Sequence, residues 1–225
     1  DGWFRARGQT PWWCDAKAGT GVKQLKQAAI RAGEGLNARR ASRGMKARPV
    51  RALMLGFPNV GKSALINRLV RQKVVESARK AGVTRSLRWV RLGQDLDLLD
   101  APGVLPPRLD NQQAALRLAL CDDIGQAAYD TEAVALAFVR LLVALEPLEA
   151  AGVAPGMLER RYGVPLKPLL LAPGGSAGTA PDAEAWLAAA AARHTSGDGL
   201  RMAQRLLDDF RRSLLGPIAL ELPDH

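Results

Sequence analysis

Eight consecutive residues, Gly56-Phe57-Pro58-Asn59-Val60-Gly61-Lys62-Ser63, fit the pattern G-x-x-x-x-G-K-[ST]. The chemistry of such a loop is phosphate binding. Its glycines let backbone N–H groups turn inward around an anion, so Val60, Gly61 and the following Ala64 become part of a cradle. Lys62 is suited to reach terminal phosphate oxygens, and the Ser63 hydroxyl to ligate Mg²⁺. A chance match of the four fixed positions is on the order of one per cent in a chain of this length.

A second anchor lies downstream in Leu98-Leu99-Asp100-Ala101-Pro102-Gly103. An apolar strand there ends in Asp100, an acid able to hold Mg²⁺ through water, and the Gly103 amide can meet a terminal phosphate. Alone, D-x-P-G is a weak turn motif. Its position after the phosphate loop gives it weight. Between the two anchors, Gly82-Val83-Thr84-Arg85 places Thr84 where it can complete a Mg²⁺ shell once a triphosphate orders the loop. Lys62, Thr84 and Gly103 are therefore the candidate catalytic set, and Ser63, Thr84 and Asp100 the candidate Mg²⁺ ligands. The residues after Gly103 are Val104 and Leu105, which cannot orient water, so intrinsic hydrolysis is expected to be slow.

The elements that must position these residues follow from the pattern of apolar side chains. Residues 50–55 read as a strand, 62–71 as a helix with Leu65, Ile66 and Leu69 on one face, and 88–92 and 96–99 as further strands. Strand, glycine-rich turn, helix and strand in succession predict an α/β fold with a parallel sheet. Upstream, residues 3–7 read as the end of a helix, 12–14 as a short buried strand, and 19–33 as a helix carrying Val22, Leu25, Ala29 and Ile30. The stretch 35–49, with Arg39, Arg40, Arg43, Lys46 and Arg48, reads as an exposed basic linker ending at Pro49.

Beyond residue 110 the pattern becomes helical, over 112–120, 131–145, 182–193 and 199–213. The last of these carries Met202, Leu206, Leu207 and Phe210 as a core-facing stripe. A stretch near 172–181, rich in Leu, Pro, Gly and Ala, reads as a flexible insertion. The expected division is a nucleotide-binding α/β domain over 1–108 and a small helical domain over 109–225.

The 225 residues carry a formal net charge of +10. Basic residues concentrate between Lys23 and Arg91, whereas 122–155 is nearly neutral or acidic, which points to a face for a polyanion, RNA ahead of an anionic membrane surface. No segment approaches the roughly 20 uninterrupted apolar residues of a membrane helix. Cys14 and Cys121 follow no metal-ligand or disulfide spacing, and a reducing compartment is expected. With Asp1 first, the chain is expected to lack its true amino terminus.

Taken together, these motifs resemble the G1, G2 and G3 elements of the translation-factor class of GTPases. No guanine-reading Asn-Lys-x-Asp follows Asp100, yet Cys14-Asp15-Ala16-Lys17 upstream looks like the Ser-Ala-Lys guanine loop G5, with Asp15 in place of serine. The order G5, G1, G2, G3 resembles that of circularly permuted GTPases. Within them the chain is similar to the ribosome-assembly GTPases of the YlqF/RbgA type and, more closely, to the plant chloroplast DAR GTPases. The likeness runs through 56–63, Ala-Gly-Val-Thr-Arg at 81–85, Asp-Leu-Asp-Leu-Leu-Asp-Ala-Pro-Gly-Val at 95–104, Leu-Cys-Asp-Asp-Ile-Gly at 120–125, and Asp208-Asp209-Phe210-Arg211-Arg212 with Leu215-Gly216.

The resemblance implies a P-loop GTPase that binds GTP or GDP with Mg²⁺, with Asp15, Ala16 and Lys17 at the guanine. It places Asn59 where potassium-stimulated GTPases ligate K⁺, the plain alternative being that Asn59 only shapes the loop. It implies large-subunit rRNA and ribosomal proteins as partners, with a monomer off the ribosome and no stable membrane insertion. A second RNA contact would come from the helical domain, whose basic residues include Arg140, Arg160, Arg161 and Lys167. Location in the chloroplast stroma follows from the plastid likeness, with the mitochondrion or bacterial cytoplasm as alternatives. The family's Asn-Lys-x-Asp element would fall just before Trp3, and its histidine in the amino-terminal region, so neither His194 nor His225 is assigned a catalytic role. Two other readings stand beside this one: a P-loop kinase or ATPase, which competition between ATP and GTP would separate, and a non-enzymatic RNA-binding scaffold with a vestigial nucleotide site.

Overall fold

Strand β1, Val50–Met54, is the first element laid down around the phosphate loop, and it pairs in parallel with β3, Leu96–Asp100, with Val50 opposite Leu96 and Met54 opposite Asp100. This computed structural model describes residues 2–71, 87–105, 109–166 and 182–222. They fall into two compact units, Asp1–Arg108 and Leu109–His225. The expectations at Thr84, Lys167, His225 and the insertion near 172–181 lie outside the described residues.

In the first unit the sheet order is β1-β3-β2, and β2, Arg88–Arg91, runs antiparallel to β3 with Arg88 opposite Asp100. The expectation of a wholly parallel sheet is therefore corrected. Only Leu92 to Asp95 separates β2 from β3, too few residues for the crossover that a parallel pair needs, so the chain turns back as a hairpin closed by the Leu92 N–H donating to Leu96 O at 2.8 Å. Helix α4, Lys62–Val70, follows β1 directly after the phosphate loop.

Helix α1 spans Gly2–Ala6, α2 Val22–Ala32 and α3 Glu34–Ala41. Ile66 of α4 is fully buried among Val90, Leu92, Leu96 and Leu98, and Ala29 and Ile30 of α2 with Leu69 and Val70 of α4 pack against this cluster. Both helices thus cover one face of the sheet. The opposite face keeps Leu53 and Trp89 exposed, with the Arg51 guanidinium 5.3 Å from the Trp89 ring centroid.

Two upstream expectations are corrected. Trp12 and Trp13 are exposed and form no strand; among the described residues they have no partner strand, and Pro11 removes a donor just before them. The supposed linker begins as helix α3. Its arginines do keep it out of the core, and none of its residues is buried, but charge does not prevent a solvated helix. Asn37 then ties the loop that follows, donating to Arg48 O at 3.0 Å and accepting from the Arg48 N–H at 3.2 Å.

The second unit is helical: α5 Gln112–Leu120, α6 Thr131–Leu145, α7 Met157–Tyr162, α8 Ala183–His194 and α9 Gly199–Arg211. Four of these begin at an Asx cap. The side chains of Asn111, Asp130, Asp182 and Asp198 accept from the N–H three residues on, at 3.0, 2.7, 2.8 and 2.9 Å. The α9 stripe is core as expected: Met202, Leu206 and Leu207 are buried, and half-buried Phe210 packs against Phe138 with centroids 4.8 Å apart. Buried Asp209 on the same helix accepts from Tyr162 Oη at 2.9 Å and Arg161 Nε at 3.0 Å. Burial, and the bond to Asp209, push the Tyr162 hydroxyl well above its ordinary pKa. An Asp209→Ala variant strands that buried hydroxyl, so a loss of about 2–3 kcal/mol is expected in urea unfolding of this unit; no change would mean the pair is not coupled to folding.

Candidate nucleotide-binding site

The phosphate loop leaves β1 at Met54 and enters α4 at Lys62, with Gly61 as the N-cap in the left-handed region at φ 92°. That conformation, which only glycine adopts without cost, lets the loop close on the helix start. Asn59 also lies there, at φ 57°, a region asparagine tolerates better than most side chains. The Lys62 ammonium folds back over the loop and donates to Gly56 O at 3.1 Å and Phe57 O at 2.6 Å. Ser63 follows it on the first turn of α4.

The second anchor is joined directly to the first. The Val104 N–H donates to Gly56 O at 3.1 Å, and a Cβ built on Gly103 would stand 2.6 Å from both Cα and N of Pro58. Only glycine allows that approach. Asp100, at the end of β3, is 1% exposed, and neither of its carboxylate oxygens has a hydrogen-bond partner. Burial raises its pKa above the ordinary carboxyl range, opposed by the positive fields of Lys62 and Arg88. A buried carboxylate with both oxygens unsatisfied next to a phosphate loop fits a cation-binding role, and Ser63 supplies a hydroxyl on the same loop.

The predicted guanine loop is a closed turn. Asp15 Oδ1 accepts from the Lys17 and Ala18 N–H groups at 2.7 and 2.9 Å, and the Gly19 N–H donates back to Asp15 O at 2.7 Å. Those two backbone donors are the chief reason that the Asp15 carboxyl sits below its ordinary pKa. Arg68, which the sequence did not single out, reaches from α4 to donate to Ala18 O at 2.8 Å. Ala16 and Ala64 line one cavity. The structure thus brings the 15–18 turn, the phosphate loop and the Asp100–Val104 turn onto the two ends of a single helix and the strand beside it. No sequence signal marks Arg68 or Pro58, because both act through contacts made only once the chain is folded. An Asp15→Ala variant is expected to weaken nucleotide binding about tenfold by freeing the turn, read by titration with a fluorescent nucleotide. The bonds to the lowered-pKa carboxylate are fully present above its ordinary pKa and are lost as pH falls through the still lower folded value, so binding near neutral pH should not track this group.

Strand, glycine-rich turn, helix, and a neighbouring strand whose terminal acid and glycine close on that turn define a P-loop nucleotide-binding domain, and the family model described as "50S ribosome-binding GTPase" matches residues 51–141. Ribosome biogenesis GTPase A of Bacillus pumilus is 39% identical over 104 residues, covering 46% of this chain and 37% of that protein. The Bacillus cereus protein of the same name is 32% identical over 140 residues, 62% of this chain and 47% of its own length. The Arabidopsis thaliana guanine nucleotide-binding protein-like NSN1 is 44% identical over 71 residues, 32% of this chain and 12% of that protein. Among solved structures, the GDP-bound structure of TM YlqF aligns with a TM-score of 0.44 at 20% identity, over 79% of this chain and 62% of that one. The chain spans less than half the length of the Bacillus relatives. The chain is similar to these ribosome biogenesis GTPases over part of its length.

Proposed function

We propose that this chain is the greater part of a Mg²⁺-dependent GTPase switch that assists maturation of the large ribosomal subunit. The observation that carries the reading is the junction of the two anchors, with Gly103 pressed on Pro58 and the Val104 N–H bonded to Gly56 O. In that arrangement a group bound in the phosphate loop is sensed at once by the turn after Asp100. Lys62 exchanges its two loop carbonyls for phosphate oxygens, anionic acceptors replacing neutral ones. The Gly103 N–H is the donor assigned to the terminal phosphate, and the Val60, Gly61 and Ala64 amides cradle the rest. Ser63, Asp100 and Thr84 would hold Mg²⁺, which when bound neutralises charge that develops on the phosphates. Asp15, Ala16 and Lys17 take the guanine end, held in place by Arg68.

Exposed Val104 offers no group to orient water, so turnover is slow until a partner supplies one. Asn59 is assigned to a monovalent cation, K⁺, beside the phosphates. The charge of +10 supports rRNA as the docking partner, alongside ribosomal proteins, with a monomer off the ribosome. The helical unit, residues 109–225, adds a second RNA contact through Arg140, Arg160 and Arg161. The Cys-Asp-Asp-Ile-Gly stretch supports placement in the chloroplast stroma, with the bacterial cytoplasm, which the Bacillus matches favour, and the mitochondrion as alternatives.

Binding of fluorescent GTP and ATP analogues to the wild-type chain and to Lys62→Ala, in potassium and in sodium, tests this reading. Guanine-selective binding lost in Lys62→Ala is expected, with faster hydrolysis in potassium. Equal binding of both nucleotides would favour a kinase or ATPase, and binding of neither would favour an RNA-binding scaffold.

A further inference from the structure

Beside the guanine turn, α2, α4 and the β2–β3 hairpin enclose a groove of about 980 Å³, and five cationic side chains line it: Lys23, Lys26, Arg68, Arg71 and Arg91. No carboxylate stands among its described lining residues, and its floor includes apolar Val22, Leu69 and Leu92. Like charges brought together over an apolar wall repel one another, and the low-dielectric floor strengthens their field at the mouth. Two of the five are anchored on backbone carbonyls, Lys26 Nζ on Leu92 O at 3.2 Å and Arg68 on Ala18 O at 2.8 Å. Lys23, Arg71 and Arg91 are exposed and point the remaining charge at solvent.

We infer that this groove takes the phosphodiester backbone of RNA, which makes it the GTPase unit's own RNA-docking surface. The inference rests on the RNA partner proposed above and locates it. A single phosphate needs fewer donors than the groove presents, and a planar membrane surface does not follow a concave channel between two helices. A chain of phosphates matches both the number of cations and the shape. Release of counterions from that backbone offsets the repulsion stored among the five side chains. Ala16 and Gly19 of the guanine turn and Ala64 of the phosphate cradle line one end of the same groove, so the RNA backbone is assigned to the end carrying Lys23, Arg71 and Arg91, continuous with the nucleotide site.

The test is fluorescence anisotropy of a fluorescein-labelled RNA hairpin with the 225-residue chain, as a function of potassium chloride. The groove variant is Lys23→Glu/Arg71→Glu/Arg91→Glu, with Arg68 left in place because it holds the guanine turn. The control is Arg39→Glu/Arg40→Glu/Arg43→Glu, which makes the same change in net charge elsewhere. The groove variant is expected to lose at least about tenfold more RNA affinity than the control and to lower the salt slope by about 2, at roughly 0.7 per phosphate contact. Should the Glu variant fail to fold, Lys23→Gln/Arg71→Gln/Arg91→Gln is expected to lower the salt slope in the same direction. Equal losses in groove and control variants would overturn the inference, as would a groove variant that keeps RNA but loses binding to phosphatidylglycerol vesicles. Fluorescent GTP binding measured in parallel separates the two readings: if the wild type binds RNA through the groove but no GTP, the groove stands and the GTPase proposal falls.

Discussion

Gly103→Ala is expected to lower GTP hydrolysis by at least about a hundredfold, the usual cost of losing one preorganised donor to the transition state, while GDP affinity stays within about threefold of wild type. The added Cβ would stand 2.6 Å from the Pro58 backbone, closer than any carbon contact allows, and backbone on both sides leaves no flexible side chain to yield. The turn must lift from the phosphate loop, and with it go the Gly103 donor and the Val104 bond to Gly56 O. GDP has no terminal phosphate for this turn to meet, so its binding through the loop and Lys62 survives. Single-turnover hydrolysis and separate GTP and GDP titrations read the two effects. An equal loss of GTP and GDP would show instead that the contact merely props up the phosphate loop.

For Asp100→Asn the expected effects have opposite signs in the presence and absence of metal. Without Mg²⁺, the buried carboxylate has no hydrogen-bond partner, and removing its charge is expected to raise stability by about 1 kcal/mol. With Mg²⁺ and GTP, the wild type gains stability and the variant gains little, and hydrolysis falls with the loss of the cation. The pH dependence follows from the direction of the shift. The folded pKa lies above the ordinary 3.8, so the folded state holds its proton where the unfolded state has released it. Stability of the metal-free wild type is therefore full below the ordinary carboxyl pKa and declines as pH rises through the folded value. Asp100→Asn should flatten that decline. Thermal unfolding across pH with EDTA or MgCl₂ measures all three; a variant that still gains as much from Mg²⁺ and GTP as the wild type would remove Asp100 from the metal site.

How far such features can be foreseen depends on where their cause lies. The phosphate loop, β1 and α4 are legible because an apolar run, a fixed glycine spacing and a helical period coincide within about twenty residues, and β3 because its own apolar run ends in the Asp100 motif. The helices α5, α6, α8 and α9 were legible too, and each opens on an Asx cap. Helices α3 and α7 begin at Gly33 and Gly156 with no side-chain cap, and both escaped the sequence reading. The direction of β2 was misjudged although the short Leu92-to-Asp95 link already ruled out a crossover. Trp12 and Trp13 mislead because apolar composition alone does not make a strand: both stay exposed, with Trp13 edge-on to Phe4 at 6.0 Å. At the site, the residue types of Lys62, Ser63 and Asp100 were readable from local spacing. The Gly103–Pro58 approach and the Arg68–Ala18 bond join residues 45 and 50 positions apart, and no local pattern encodes such meetings.

Helix α4 is nine residues long, about 13 Å at 1.5 Å per residue, and holds Lys62 at one end and Arg68 towards the other. On the proposed reading it serves as a ruler between the jaw that would grip phosphate and the jaw that would steady the base. The gap between the jaws is fixed by a rigid rod and not by loop length. One residue inserted between Ile66 and Asn67 would swing Arg68 by about 100° around the rod and pull it off Ala18, while Lys62 keeps its place. Such a protein should still hold inorganic pyrophosphate yet lose its preference among bases, separating two grips that the native helix keeps in fixed measure.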